Sequence, residues 1–320
     1  MRLGFAVKVL GRAGLKSNDS RRWQNNPHLS VSLAYLRDIF VYLADADIHM
    51  YRISSELAPY LTHPDMPQFH NQIAECAQEL AALGEMARKQ GLRLSFHPSQ
   101  YIVLNAEDET IAAKGAQDIV AQARMLDEMG LGDEAVVVTH VGGLYGDRQA
   151  ALERFVRRYE ALAEPGRRRL ALENDEDHFC ISDTHWIHRR TGIRLIFDNL
   201  HFQHCNHAGM PFREALQMAL DSWPADQTPK IHFSSPRTEL RTATRKTAGG
   251  AKRDVLVPPL WTQHSDFIHP FEFIRFLEDT RGMRSYDVML EAKAKDLALL
   301  HLREDVRKFA PSLAEELRIC

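Results

Sequence analysis

Apolar positions along the chain cluster in short runs, and most of these runs are followed by a longer stretch of helical period. The runs at 3–9, 48–54, 92–97, 135–140, 169–173, 193–198, 230–233 and 287–291 predict strands. Between and after them, 29–45, 68–90, 108–129, 147–163, 182–191, 211–221, 266–281 and 295–309 predict helices. Gly91, Gly130, Gly192 and Gly282 stand just past helical segments, where a left-handed closing residue is wanted. Asp183 and Thr184 suit the start of the fifth helix.

Eight strand and helix alternations predict an α/β chain folded as a (β/α)8 TIM barrel, one domain over residues 1–320. The competitor is a doubly wound open sheet, which would carry a glycine-rich phosphate loop after an early strand; neither G-x-G-x-x-G nor G-x-x-x-x-G-K-[ST] occurs. A basic insertion at about 234–264 breaks the alternation. Its centre, RTELRTATRKTAGGAKR (237–253), has six Lys or Arg against one Glu and no apolar period, so it reads as a loop. Such a run is either a solvated surface or an arm for phosphates, with Arg241, Arg245 and Lys246 as its contacts.

The strand ends change the picture from fold to chemistry. Barrel active sites are built where strands end, and His97, His140, Glu173, Asp198, His232 and Glu291 all fall at or near such ends. Buried charges there need partners or a metal. His63, His201 and His264 extend the set in the adjoining loops. From 63 to 291 the spacings are 34, 43, 33, 25, 3, 31, 32 and 27 residues, close to one βα unit each apart from the Asp198 and His201 pair.

Composition sharpens this reading. With 16 His but only 4 Cys, the chain is rich in imidazole rather than thiolate. Nine N and O ligands exceed the needs of one ion, so two or three divalent ions are expected, and the lack of Cys among the nine argues against a closed structural zinc site. Mn²⁺ is the first expectation, with Zn²⁺ or Mg²⁺ as the alternatives. Multi-metal sites of this kind serve in-line phosphodiester hydrolysis. A net charge of −3 and 44% hydrophobic residues suit a folded core, and no 18-residue apolar run offers a membrane span. The few Cys form no CxxC pair, and the short apolar N-terminus is no signal peptide, so a reducing, cytoplasmic setting is expected. His204 and His207, in HFQHCNHAGM, remain unassigned.

In the motifs MYRISSELAPYLTHP (50–64), SFHPSQY (95–101), THVGGLYG (139–146), LALENDE (170–176), FDNLHF (197–202), PKIHFSS (229–235), HSDFI (264–268) and MLEAKAKD (289–296), the sequence resembles the UV damage endonuclease family. That family is a (β/α)8 fold also similar to the endonuclease IV and xylose isomerase barrels. The resemblance implies metal ligands at His63, His97, His140, Glu173, Asp198, His201, His232, His264 and Glu291, the same nine reached from the strand ends. It implies a carboxylated lysine at Lys230, catalytic beside Glu173, and a lesion probe at Gln100 and Tyr101.

Phe5 stands where relatives often carry Tyr, so a hydroxyl near the lesion or the metals is missing. Phe5 is expected among the substrate contacts, and so is Lys8, whose segment (8–28) departs from the family pattern but is basic enough to suit phosphates. The implied activity is metal-dependent hydrolysis of damaged double-stranded DNA immediately 5′ to cyclobutane pyrimidine dimers, 6-4 photoproducts and abasic sites, leaving a 3′-hydroxyl. No obligate protein partner is evident, and a monomer is expected. The rivals are a sugar isomerase or epimerase on the same barrel, and a damage-binding protein without turnover.

Overall fold

The computed structural model describes residues 1–247 and 249–319. Strands form at β1 (Leu3–Ala6), β2 (Met50–Arg52), β3 (Arg93–Phe96), β4 (Val136–His140), β5 (Leu170–Glu173), β6 (Arg194–Asp198), β7 (Lys230–Phe233), β8 (Arg241–Lys246), β9 (Lys252–Val257) and β10 (Asp287–Leu290). All but β8 and β9 close into a parallel barrel in the order β1-β10-β7-β6-β5-β4-β3-β2. This is the expected TIM barrel.

Alternation along the strands sorts their side chains. Residues i and i+2 share a face, so Val136 and Val138 point the same way as His140, Ala171 as Glu173, Ile196 as Asp198, and Lys230 as His232. Val136, Val138, Ala171, Ile196 and Trp223 form their own buried cluster, an apolar layer beneath the polar strand ends. Trp223 donates its indole N–H to the Leu195 carbonyl at 2.8 Å, and the Arg93 and Arg194 guanidinium groups lie 5.4 and 5.2 Å from its ring. Arg93 also pairs with the buried Asp287 at 2.9 Å. This end of the barrel is therefore closed by a polar and aromatic layer, which leaves the opposite mouth for chemistry. The other faces of the strands pack on the helices in the main core, where each fully buried Leu or Phe contributes about 1.5–3 kcal/mol.

Three local expectations are corrected. The stretch 68–90 is interrupted: a short 3-10 turn (Pro67–Phe69) and a one-turn helix (Gln72–Glu75) precede the helix Ala77–Lys89. In that helix Gly84 is required, because a Cβ there would meet the Met129 carbonyl oxygen at 1.6 Å. The fifth helix starts earlier, at Ile181, with Cys180 as its N-cap and Asp183 at N3 accepting from the Cys180 amide at 3.0 Å. The basic loop is a two-stranded antiparallel ribbon, β8 with β9, in which Arg245 faces Arg253 and Lys246 faces Lys252. Charge at these positions hides the apolar alternation that announces a strand; position 248 of the loop lies outside the described residues. Gly91, Gly130, Gly192 and Gly282 do take positive φ, between 60° and 78°. No helix among the described residues is long and apolar enough to cross a membrane.

Candidate metal centre

Register brings the polar strand ends together. His140 pairs with Glu173 across β4 and β5, and Asp198 with His232 across β6 and β7. His97 and Glu291 follow the last residues of β3 and β10 directly. Three sets of three donors each fit within 4.8 Å: His97, His140 and Glu173; Glu173, Asp198 and His201; Asp198, His232 and Glu291. Glu173 joins the first two sets and Asp198 the last two, as carboxylates shared between neighbouring ions would.

Glu173 is the hub, 1% exposed. One of its oxygens meets His232 Nδ1 at 2.8 Å, and the other meets His97 Nε2 at 3.1 Å and lies 3.7 Å from His140 Nε2. His264 Nδ1 lies 3.7 Å from a Glu291 oxygen at the rim, and Arg52 grips the other oxygen of that carboxylate. Asp198 caps the helix Asn199–His204 by accepting from the His201 amide at 2.8 Å. That cap is what sets Asp198 and His201 three residues apart on one side of the mouth.

Three buried atoms here have no hydrogen-bond partner: His140 Nδ1, Asp198 Oδ2 and His232 Nε2. Unpaired buried polar atoms cost about 1–3 kcal/mol each. Three of them in one cluster of nitrogen and carboxylate donors fit divalent cations, which would take these lone pairs.

Charge in the cluster is strongly coupled. Burial alone would raise the Glu173 carboxyl, but His232 and His140 hold it well below the usual carboxylate range. Burial lowers His97. Burial also opposes charge on His201, yet Asp198, Glu173, Glu176 and Glu291 outweigh it and push the imidazole up to about 10. In the metal-free protein His201 therefore adds stability that is fully present below the ordinary imidazole value of 6.5 and is lost as pH rises through about 10. A cation held by His201 would need the neutral ring, and its apparent affinity would then climb about tenfold per pH unit from neutrality towards that value for the proton displaced. Calorimetric titration in buffers of different ionisation heat checks this; an affinity independent of pH would show that His201 is not a ligand.

Lys230 is fully buried, with Nζ donating to Ser95 Oγ at 3.1 Å. Burial, with Arg52 and Arg93 close by, pushes its ammonium well below the usual lysine range.

One of the nine expected ligands is not brought in. His63 sits on the turn after Tyr60, where its Nδ1 accepts from the Asp65 amide at 3.3 Å and its carbonyl accepts from His70 Nε2 at 2.8 Å. It borders a neighbouring cavity that shares only Ser55 and Glu56 with the mouth. Phe5, expected at the substrate, is instead wholly buried, edge-on to Tyr51 at 5.4 Å. The hydroxyl on this side belongs to Tyr51, which donates to the Val7 carbonyl at 2.5 Å. Val7 itself holds a φ of 67° at the rim, an uncommon strain for a β-branched residue. Lys8 beside it is exposed.

Gln100 borders the mouth cavity, and Tyr101 is 78% exposed. Of the basic residues, Arg241 and Arg245 share one face of β8 by alternation, and Lys246 takes the other.

Several residues of the site escape the strand-end reading. Asn174 braces Asp198, accepting from its amide at 2.9 Å and donating to its carbonyl at 3.2 Å. Arg52, Ser95 and Glu176 touch Glu291, Lys230 and His201. Their signal is their place inside MYRISSE, SFHPSQY and LENDE, beside the expected ligands.

Comparison with known proteins identifies the family. The family model described as UV-endonuclease UvdE matches residues 23–314. The UV DNA damage endonuclease of Bacillus velezensis is 32% identical over 292 residues, covering 90% of this chain and 85% of its own. That of Bacillus pumilus is 31% identical over 261 residues, 81% of this chain and 75% of its own. The crystal structure of SacUVDE superposes with a TM-score of 0.80 at 27% identity, over 96% of this chain and 98% of that one. Endonuclease IV from Thermus thermophilus, with a TM-score of 0.57 at 15% identity over 96% of this chain and all of its own, shares the fold. With a family model spanning most of its length and its polar strand ends meeting at one barrel mouth, this chain belongs to the UV-endonuclease UvdE family.

Proposed function

We propose that this chain is a DNA repair endonuclease that depends on two or three divalent ions, Mn²⁺ first, and hydrolyses the phosphodiester immediately 5′ to a UV photoproduct, leaving a 3′-hydroxyl. Cyclobutane pyrimidine dimers and 6-4 photoproducts are the substrates, with abasic sites as a further one. The observation that carries this is the chain of donor sets linked by Glu173 and Asp198, with three unpaired buried donor atoms among them.

His97, His140, Glu173, Asp198, His201, His232, His264 and Glu291 would hold the ions. When bound, the ions supply Lewis acidity that activates water and neutralises charge on the attacking and leaving oxygens. The protein's own residues prepare that work. Asn174 and the helix cap fix Asp198, Arg52 fixes Glu291, and Glu173 orients three imidazoles at once. Lys230, held by Ser95, is the site modifier: a buried amine kept neutral is the form that carboxylation requires.

Outside the mouth, Gln100 and Tyr101 suit insertion beside a lesion, since an exposed ring on a short loop can stack where damage has already weakened the base stack. The basic ribbon suits the phosphate backbone. Like charges directly opposite, Arg245 with Arg253 and Lys246 with Lys252, destabilise an antiparallel pair by themselves, and a polyanion relieves that repulsion. Replacing Arg245 and Lys246 by Ala should weaken binding to damaged and undamaged duplex alike. It should also flatten the dependence of log affinity on log salt by about one unit per charge removed. Fluorescence anisotropy over a salt series measures both, and an unchanged slope would remove the ribbon from the interface.

A panel of duplexes with a single dimer, a single abasic site or no damage, incubated with Mn²⁺, separates the readings. Incision at the dimer supports the proposal. Cutting only at the abasic site would favour an endonuclease IV-like activity, and binding to the dimer without a cut would leave a damage-binding protein. A sugar epimerase would neither bind nor cut any of the three duplexes.

A further inference from the structure

A second cluster of metal-type donors lies beside the mouth. Cys180 is the N-cap of the helix Ile181–Thr191 that follows β5, and Cys205 closes the short helix Asn199–His204 that follows β6. His207 comes two residues later, in the histidine-rich loop that the barrel chemistry leaves unused. Both cysteines are free and buried, whereas His207 is exposed. The two sulfurs touch at 2.6 Å, His207 Nε2 lies 3.7 Å from Cys205 Sγ, and all three donor atoms fall within 4.8 Å of one another.

We propose that Cys180, Cys205 and His207 form a separate site for one thiophilic divalent cation of the zinc class, which clips the loop after β5 to the loop after β6. Donor chemistry is the first argument. Two sulfurs and an imidazole select zinc over manganese, the reverse of the nitrogen and carboxylate set at the mouth. Charge is the second. A dication with two thiolates and a neutral imidazole carries no net charge and so tolerates burial, whereas two bare thiolates would not. Without a cation, burial and the adjacent Cys180 push the Cys205 thiol up. A cysteine that binds as the thiolate gives up its thiol proton to solvent, with no change of oxidation state.

Geometry agrees. Zinc bonds of normal length at tetrahedral angles set sulfur and nitrogen roughly 3.6 Å apart, close to the 3.7 Å found between Cys205 and His207. The two sulfurs would part to roughly 3.8 Å, a side-chain rotation. His207 at the surface provides the entry path, and a water completes the fourth position. The position of the clip gives it a purpose. The Cys205 amide donates to the His201 carbonyl at 2.8 Å, and the chain between Glu173 and Cys180 is short, so the ion would tie together the segments that follow Glu173 on β5 and Asp198 and His201 at the end of β6.

Cobalt spectroscopy tests the site without reference to incision. The mouth offers no sulfur, so a thiolate-to-cobalt charge-transfer band in the near ultraviolet reports a cysteine ligand, and its loss in Cys205→Ser but not in Cys76→Ser assigns it to this cluster. Titrating Co²⁺ into metal-stripped, reduced wild-type protein should give that band at an amplitude of one cobalt per chain, and Zn²⁺ should abolish it. Cys205→Ser should lose the band, and His207→Ala, at an exposed position, should shift and weaken it. Under the same conditions bound Zn²⁺ should protect both thiols from a thiol-reactive dye. A wild-type protein that shows no band while both thiols react freely would overturn the proposal. So would a protein isolated without zinc and lighter by two hydrogens, because the pair would then be a disulfide.

Discussion

Glu173→Gln should abolish incision, lowering the single-turnover rate by about 10²–10³ or more, while the circular dichroism of the protein stays unchanged. Size and shape are nearly kept by this substitution; the charge is not. Glu173 faces His97, His140 and His232 from a fully buried position and belongs to two of the three donor sets. A neutral amide there offers one acceptor oxygen and places N–H donors against imidazole nitrogens that must themselves accept or coordinate. Two ions would lose a shared ligand, and the clamp on the reacting oxygens would fail. Metal analysis of the variant should show a lower metal content than the wild type. A variant that cuts at the normal rate would show that Glu173 is not part of the reacting centre.

Removing the lesion probe, with Gln100→Ala and Tyr101→Ala together, should have the next largest effect and a different signature. Stacking of one base on an aromatic ring is worth about 1–3 kcal/mol, so incision at a dimer should fall roughly 5- to 150-fold. Stability should move by less than about 0.5 kcal/mol, because Tyr101 is 78% exposed and has little packing to lose. Metal content should not change, which separates this variant from Glu173→Gln. The loss should also depend on the lesion: a site already unstacked, such as an abasic one, should suffer less than a dimer. Equal loss on every duplex, or a fall in thermal midpoint, would place Tyr101 in the framework of the protein rather than in recognition.

Much of this arrangement is legible in the sequence because barrel geometry converts chain position into spatial position. His140 and Glu173 lie 33 residues apart in sequence yet pair across adjacent strands. Any residue that ends an apolar run is carried to the same mouth, so polar residues in that position stand out. The reasoning weakens where a residue leaves the strand. His63 belongs to a turn whose direction depends on local contacts with Asp65 and His70, and spacing alone cannot supply that. Phe5 is misplaced for the opposite reason: it lies inside β1, where parity decides between mouth and core, and its packing on Tyr51 buries it. The ribbon of β8 and β9 is hidden because β8 and the first half of β9 are polar, and the apolar residues Val255, Leu256 and Val257 follow one another without alternating, so no period of two marks either strand. Asn174 and Arg52 are invisible to a search for ligands, since their work is to hold ligands still.

The most direct test of the central claim uses a duplex labelled on the damaged strand and carrying one cyclobutane dimer. The protein is stripped of metal, divided, and assayed with and without added Mn²⁺. The expected result is no cut without metal and, on adding Mn²⁺, a single break immediately 5′ to the dimer whose end a polymerase extends, as a 3′-hydroxyl requires. An intact strand after Mn²⁺, Zn²⁺ and Mg²⁺ have each been added back, or equal cutting of the undamaged duplex, would contradict it.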